Sequence, residues 1–502
     1  MSIRRLASET AVYGVSSVLG RGMYFLLTPL YTGFFEPFEL GIQTQAYSVL
    51  GLLLVVAVLR LDVAYFRFAE DAADEGALLG TSFLAVLATS GALGLALLLG
   101  SPAIAEYLGY PAYRGLFALT GGILFFDALC ELPLARLRMQ GRAVRFAAVR
   151  LGGIAVNLGL NVFWIYLLPR WPAAPEWLAT PLAGISYIFL ANVVASAFTF
   201  ALVLPELRGV RLRVDGALLR RLLAFSAPLV VVGLSFIVNE TFDRQMFPLI
   251  YPGTREEGIR LLGVYGQNYK LAMLLALFTQ AFRYGAEPFF FRERGAGGAE
   301  AKYARLARYY LIAALVGFVG VCAFLPALSQ VLLRDPAYRA GSDVVPILLL
   351  ANLCLGLYYN FAVWYKVTDN TRFGAYISLG GAAVTVLLNL ALIPRYGFYG
   401  CAWATLACYA AMLAATWALG RSRYPVPYRT GRMLGYTALA VGLVGLYWGL
   451  SPKLAAPVLE LAVEGAAPGV WAASLALGAA VLLAFCGALF ALEWRLRRSG
   501  GA

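Results

Sequence analysis

The stretch YGVSSVLGRGMYFLLTPLYTGFF, from Tyr13 to Phe35, is apolar enough to cross a bilayer yet carries Arg21 near its middle. A charge at the centre of the hydrocarbon costs about 3 kcal/mol on insertion scales, so a residue so placed faces protein or water, not lipid. The segment is read as a membrane helix with one wall turned toward a polar interior. Arg4 and Arg5 ahead of it imitate a signal peptide. The apolar run is too long for one, contains Arg21 and lacks a small-x-small cleavage site.

Working outward, the 502 residues are 61% hydrophobic and 13% charged, with a mean hydropathy of +0.75. A soluble domain is roughly 45–50% apolar. With about 20 apolar residues needed per crossing, the chain divides into about fourteen spans joined by short connections. An all-α polytopic membrane protein follows, embedded in a lipid bilayer. The formal net charge is +13 and there is no histidine, which removes the commonest metal ligand and the usual group titrating near neutrality. Neither a metal nor a cofactor is expected, and any proton coupling rests on carboxylates. The six cysteines, Cys130, Cys322, Cys354, Cys401, Cys408 and Cys486, lie in apolar runs without a C-x-x-C pair. They are read as small buried hydrophobes.

Basic residues set the orientation. Arg136, Arg138, Arg142 and Arg145, then Arg208, Arg211, Arg213, Arg220 and Arg221, then Arg292, Arg294, Lys302 and Arg305, and finally Arg421, Arg423, Arg429 and Arg432 all fall on one side. That side holds about 25 Lys/Arg against about 8 on the other, so it and both termini are expected to be cytoplasmic. These loops are explained by topology, and no nucleic-acid partner is expected.

The chain repeats itself. PLYTGFFEPFELGIQTQAY, ending at Tyr47, lies on PLIYPGTREEGIRLLGVYGQNY, ending at Tyr269, pairing Pro29 with Pro248, Leu40-Gly41 with Leu262-Gly263 and Gln45 with Gln267. Further on, Arg145-Phe146, Leu151-Gly152-Gly153, Asn161 and Pro169-Arg170 recur in order as Arg372-Phe373, Leu379-Gly380-Gly381, Asn389 and Pro394-Arg395. An even number of spans per repeat returns the chain to its starting side, so two six-helix lobes share one orientation about an axis along the membrane normal. The expected organisation is an N-lobe over 1–222, a C-lobe over 223–420 and an added helix pair over 421–502. A cavity between the lobes is expected.

Charges within the spans mark its walls. The repeat places Arg21 and Glu240 at equivalent positions. Arg21 sits about 16 Å along the first span at 1.5 Å per residue. Glu240 and Arg244 share a face of the seventh span at i, i+4 with Asn239 and Asp243 beside them, Lys270 projects from the eighth, and Asp127 and Glu131 share a face of the fourth. Arg21–Glu240, Glu240–Arg244 and Asp243–Lys270 serve as neutralising pairs, or else Arg21, Arg244 and Lys270 line a wet chamber that receives an anion. Glu240, Asp243 and Asp127 are the candidates for ion coupling. Asp62, Arg67, Arg283 and Glu287 are assigned to helix ends, where long side chains snorkel. Asn157 and Asn161 on the fifth span are read as interhelical hydrogen-bonding groups. Gly20 and Gly22 flank Arg21 and Pro29 follows two turns later, which makes the first span, and by repetition Pro248 in the seventh, candidate hinges.

The opening YGVSSVLGRGMYFLLTPLYTGFFEPFELG, followed by AYFRFAED, resembles polysaccharide biosynthesis proteins of the oligosaccharide-lipid flippase family, within the multidrug/oligosaccharidyl-lipid/polysaccharide exporter superfamily. The likeness is densest over Tyr13–Asp71 and extends in architecture to Leu419. The last two spans resemble the extra pair of the related lipid II flippases, where they form a groove for the lipid tail. The resemblance implies a bacterial inner-membrane flippase that moves an undecaprenyl-diphosphate-linked oligosaccharide to the outer leaflet by alternating access, for surface polysaccharide or lipopolysaccharide biosynthesis. A polyprenyl-diphosphate-linked glycan and glycan-assembly enzymes are the implied partners. Family cavities commonly carry an arginine on the first helix and a basic residue on the eighth, positions held here by Arg21 and Lys270. Glu240 and Asp243 depart from a purely anion-receiving wall. A cation-coupled multidrug exporter of the same superfamily is the alternative. A membrane glycosyltransferase or polymerase fits less well, because the outer connections Arg170–Thr180 and Arg334–Asp343 are short and no Walker motif is present; a non-enzymatic role is expected.

Overall fold

Side-chain caps fix where several helices begin. Glu36 and Glu39 form a reciprocal capping box with Pro37 at the first helical position, Asp74 accepts from the Ala77 N–H, and Asp215 accepts from the Leu218 N–H. Each satisfies donors that a helix start leaves open, and proline suits that position because its missing N–H is not needed there. The computed structural model of the chain describes residues 22, 25–69, 74–172, 175, 184–295, 297–463 and 468–498, with side chains except at 288, 450–474 and 495–498. Gly20 and Arg21 lie outside the described residues.

The described helices are α1 (Thr28–Phe34), α2 (Pro37–Val58), α3 (Leu61–Ala69), α4 (Glu75–Leu108), α5 (Leu116–Met139), α6 (Ala143–Asn161), α7 (Ser186–Val203), α8 (Gly216–Ile250) and α9 (Arg255–Arg292). There follow α10 (Ala299–Ala323), the short α11 (Leu325–Leu332) and α12 (Pro336–Arg339), α13 (Val345–Phe361), α14 (Val363–Val367), α15 (Arg372–Tyr396), α16 (Phe398–Arg423), α17 (Thr430–Val463) and α18 (Pro468–Arg498). The fold is all-α, and 11 helical segments among the described residues are long and apolar enough to cross a membrane. At 38 residues α9 has the length but not the apolarity. It carries Gln267, Asn268, Lys270, Arg283 and Glu287 within its span.

Two compact units emerge, one of Met1–Gly266 with Thr385–Phe398 and one of Gln267–Val384 with Tyr399–Ala502. In the first, ion pairs tie together the end that carries the basic loops. Glu75 receives Arg136 at 3.0 Å and the Tyr65 hydroxyl at 2.6 Å. Glu206, buried, receives Arg142 and Arg145 at 2.7 Å each. The segment joining α7 to α8 lies along the start of α4, with Arg211 on Asp74 at 3.0 Å and the Thr81 hydroxyl donating to the Arg213 carbonyl at 3.3 Å. In the second unit the C-terminal helix pair packs on α10. The Tyr447 hydroxyl donates to the Ala323 carbonyl at 3.3 Å, the Trp448 indole to that of Cys322 at 3.4 Å, and Glu493 of α18 takes the Tyr436 hydroxyl of α17 at 2.7 Å.

Two helices depart from the sequence reading. The second span is not one rod: Leu59 and Arg60 both stand at φ 53° and separate α2 from α3. Left-handed backbone at non-glycine residues costs on the order of 1 kcal/mol each, and the turn carries Arg60 against α8, where its side chain lies beside Gly233. The eighth span is longer than expected, because α9 runs on to Arg292. Arg283 and Glu287 therefore sit within a helix that continues past the expected end of the span.

Candidate functional site

The first span is broken just ahead of Pro29. A helical turn ends with Leu26 donating to Gly22 at 3.3 Å, a turn follows at Leu26–Leu27, and α1 starts with Pro29 in its first turn. Proline cannot donate to the carbonyl four residues back, so the break falls where that bond is lost. Pro248 behaves otherwise: it lies in the last turn of α8, whose helix continues through it to Ile250.

α1 is held within the first unit by a chain of amides and tyrosine hydroxyls. The Tyr31 hydroxyl donates to Asn161 Oδ1 at 2.9 Å, Asn161 Nδ2 donates to Asn157 Oδ1 at 2.9 Å, Asn157 Nδ2 to Asn192 Oδ1 at 3.3 Å, and Asn192 Nδ2 to the Tyr47 hydroxyl at 3.0 Å. Tyr47 stacks on Phe189 at 4.9 Å. The chain crosses α1, α6, α7 and α2 in turn. This is the interhelical role expected of Asn157 and Asn161. Asn192 and the two tyrosines, hidden within apolar runs, give no such signal in the sequence.

On α8, Asp243 is buried and accepts the Tyr265 hydroxyl at 2.8 Å and the Arg244 backbone N–H at 2.9 Å. The Tyr265 partner, from α9, has no sequence signal. Half-buried Glu240 and Arg244 lie one turn apart on the same helix, and Asn239 accepts from the Thr385 hydroxyl of α15 at 3.3 Å. Lys270, half-buried on α9, donates to Gln267 Oε1 at 2.8 Å. Asp127 on α5 is met by the Ser196 hydroxyl of α7, while its neighbour Glu131 pairs with Arg150 of α6 at 3.2 Å. Among the described residues no group of three or more His, Cys, Asp or Glu is arranged to hold a metal.

At the end opposite the basic loops, within the first unit, α2 and the start of α9 cross closely. A Cβ on Gly41 would stand 1.9 Å from the Ile259 carbonyl oxygen, and one on Gly263 would stand 1.8 Å from that of Pro37. Real Cβ atoms do not approach backbone so closely, hence only glycine fits at either place. The two contacts are mirror copies: Pro37 precedes Gly41 by the same four residues by which Ile259 precedes Gly263. Gly266 packs on Thr44 beside them. The repeat recognised in Leu40-Gly41 and Leu262-Gly263 thus corresponds to two halves of one contact.

The sequence matches no family model and no curated protein. Its fold matches solved transporters. Over 95% of this chain and 98% of the other it is similar to a lipid II flippase, MurJ, in an inward closed conformation, with a TM-score of 0.69 at 10% identity. It is also similar to a multidrug resistance MATE family transporter of the MOP superfamily in an inward-facing conformation, over 84% of this chain and 95% of that one, with a TM-score of 0.55 at 16% identity. A third is a MOP superfamily transporter from Pyrococcus furiosus described as having a binding pocket of reversed polarity, covering 83% and 95% of the two chains, with a TM-score of 0.58 at 14% identity. The chain therefore has the multi-span fold shared by these transporters.

Proposed function

We propose that this protein is a flippase of the oligosaccharide-lipid type, carrying an undecaprenyl-diphosphate-linked glycan from the inner to the outer leaflet of a bacterial inner membrane by alternating access, for surface polysaccharide assembly. Both termini and the basic loops face the cytoplasm in this reading. The observation that carries it is the extent of the fold likeness: 95% of the chain matches the lipid II flippase against 84% for the multidrug transporter. The added helix pair over 421–502 suits a lipid-tailed cargo in this reading. Arg21, Arg244 and Lys270 supply cations to the cleft between an N-lobe of 1–222 and a C-lobe of 223–420, and arginine engages a diphosphate through paired donors. Asp243, Glu240 and Asp127 are the coupling carboxylates, and the break ahead of Pro29 lets the first helix bend. Glycan-assembly enzymes supply and consume the cargo.

The carboxylates also suit the second reading, a cation-coupled drug exporter. Purified protein in vesicles, loaded with a fluorescent polyprenyl-diphosphate glycan and tested under proton and sodium gradients in turn, separates the two. Movement of the glycolipid between leaflets is expected. Drug efflux without glycolipid movement would transfer the assignment to the exporter.

A further inference from the structure

The second unit holds a cluster of charged and aromatic groups that none of the assignments above uses. Glu287 of α9 receives Arg283 Nη2 at 3.3 Å and Lys366 Nζ of α14 at 2.8 Å. Both cations converge on the same oxygen, Oε1. The Arg283 guanidinium lies 3.8 Å from the centre of the Tyr359 ring, which fixes its plane and leaves its N–H edge presented. Its Nε is buried and makes no hydrogen bond among the described residues. Tyr358 and Tyr365, their hydroxyls 3.1 Å apart, are buried within the α13–α14 segment that carries Tyr359 and Lys366.

This is more than a helix-end ion pair. Side-chain exposure is 36% for Arg283, 37% for Glu287 and 26% for Lys366, so all three can be reached by a solute. The set has two cations to one carboxylate and hence a net positive charge. One oxygen bridging a stacked arginine and a lysine is also the geometry that a phosphate or diphosphate oxygen would take up. Arg283 lies 20 residues beyond Gly263 of the glycine crossing, about 30 Å further along α9. Since the hydrocarbon is about 30 Å thick, the cluster belongs at the membrane surface of the side that carries the basic loops.

We propose that Arg283 and Lys366 form an oxyanion-binding site at the loading side of the protein, with Glu287 as an internal surrogate that the cargo's diphosphate displaces. The proposal rests on the flippase reading and adds to it a first docking point apart from the cleft cations. Its signature is that removing the surrogate charge improves binding, whereas a purely structural salt bridge would be weakened by the same change.

The test is a titration of the full-length purified protein with inorganic pyrophosphate, with undecaprenyl diphosphate in detergent and, separately, with phosphatidylglycerol in lipid discs. A charge-assisted hydrogen bond is worth about 1.5–3 kcal/mol, so one lost or gained changes affinity by about tenfold or more. Glu287→Gln, which keeps the side chain's shape, is expected to tighten pyrophosphate and undecaprenyl diphosphate about tenfold. Arg283→Gln and Lys366→Gln should each weaken both by a similar factor. Unchanged affinity in all three variants, or weakening by Glu287→Gln, would overturn the site. Tightening toward phosphatidylglycerol as large as that toward the diphosphates would overturn the cargo assignment in favour of a membrane headgroup. Because these are binding measurements, they stand whether or not the wild-type protein moves glycolipid, so failure of the flippase reading would be seen separately.

Discussion

Gly263→Ala is expected to depopulate the α2–α9 crossing that we propose closes the end opposite the basic loops, and Gly41→Ala to do the same. The added methyl would meet the Pro37 carbonyl at 1.8 Å in the first case and the Ile259 carbonyl at 1.9 Å in the second. Both obstacles are backbone, so no rotamer change relieves them, and α2 and α9 must separate. Overpacking of this kind costs about 1–3 kcal/mol, roughly a 5- to 150-fold loss of the closed population. Transport should fall by a similar factor. Thr44 packs on Gly266 in the same crossing, so a thiol introduced by Thr44→Cys should change from protected to reactive toward a water-soluble thiol reagent. Gly380, whose Cβ would meet nothing within 4 Å, supplies the control: Gly380→Ala should behave as wild type. Normal transport in Gly263→Ala, with the introduced thiol still protected, would refute the crossing as the closure.

Arg21→Ala carries the other large effect. If a guanidinium at mid-membrane clamps the diphosphate, its loss removes two charge-assisted hydrogen bonds, about 3 kcal/mol or more, and glycolipid translocation should drop at least about a hundredfold. The variant should still insert, since an alanine is easier to place in hydrocarbon than the charge it replaces. Arg21→Lys keeps the charge but not the planar fork, so its rate should lie between the two. Equal translocation by wild type and Arg21→Ala in reconstituted vesicles would remove Arg21 from the site.

How much of this could be read from the sequence depended on whether the physics was local. Helix existence was legible because apolar runs of bilayer length leave few alternatives, and capping residues such as Glu36, Asp74 and Asp215 mark where helices start. The internal repeat pointed to Gly41 and Gly263 as equivalent, but that they face one another is a tertiary fact with no local signature. The break at Leu59–Arg60 was illegible for a different reason. Neither glycine nor proline marks it, and the left-handed backbone there is supported by packing against α8 rather than by residue preference. The length of α9 was underestimated because Arg283 and Glu287 read as the end of an apolar span; the helix continues past them to Arg292, and Glu287 finds a further partner in Lys366, 79 residues on. The Tyr31–Asn161–Asn157–Asn192–Tyr47 chain shows both limits: the i, i+4 asparagines were visible, their partners on three other helices were not.

We propose that Lys270 faces a water-filled, positively charged cleft, and charge-selective labelling tests that proposal most directly. With the six native cysteines replaced and Lys270→Cys introduced, two methanethiosulfonate reagents of similar size, one anionic and one cationic, are compared for their rate of modification. Positive potentials of one to two kT in a protein cleft favour the anion over the cation by about tenfold or more after correction for intrinsic reactivity. The account predicts that preference, lost on adding Arg21→Ala and Arg244→Ala. An introduced thiol that neither reagent reaches, or one that the cationic reagent modifies faster, would contradict it.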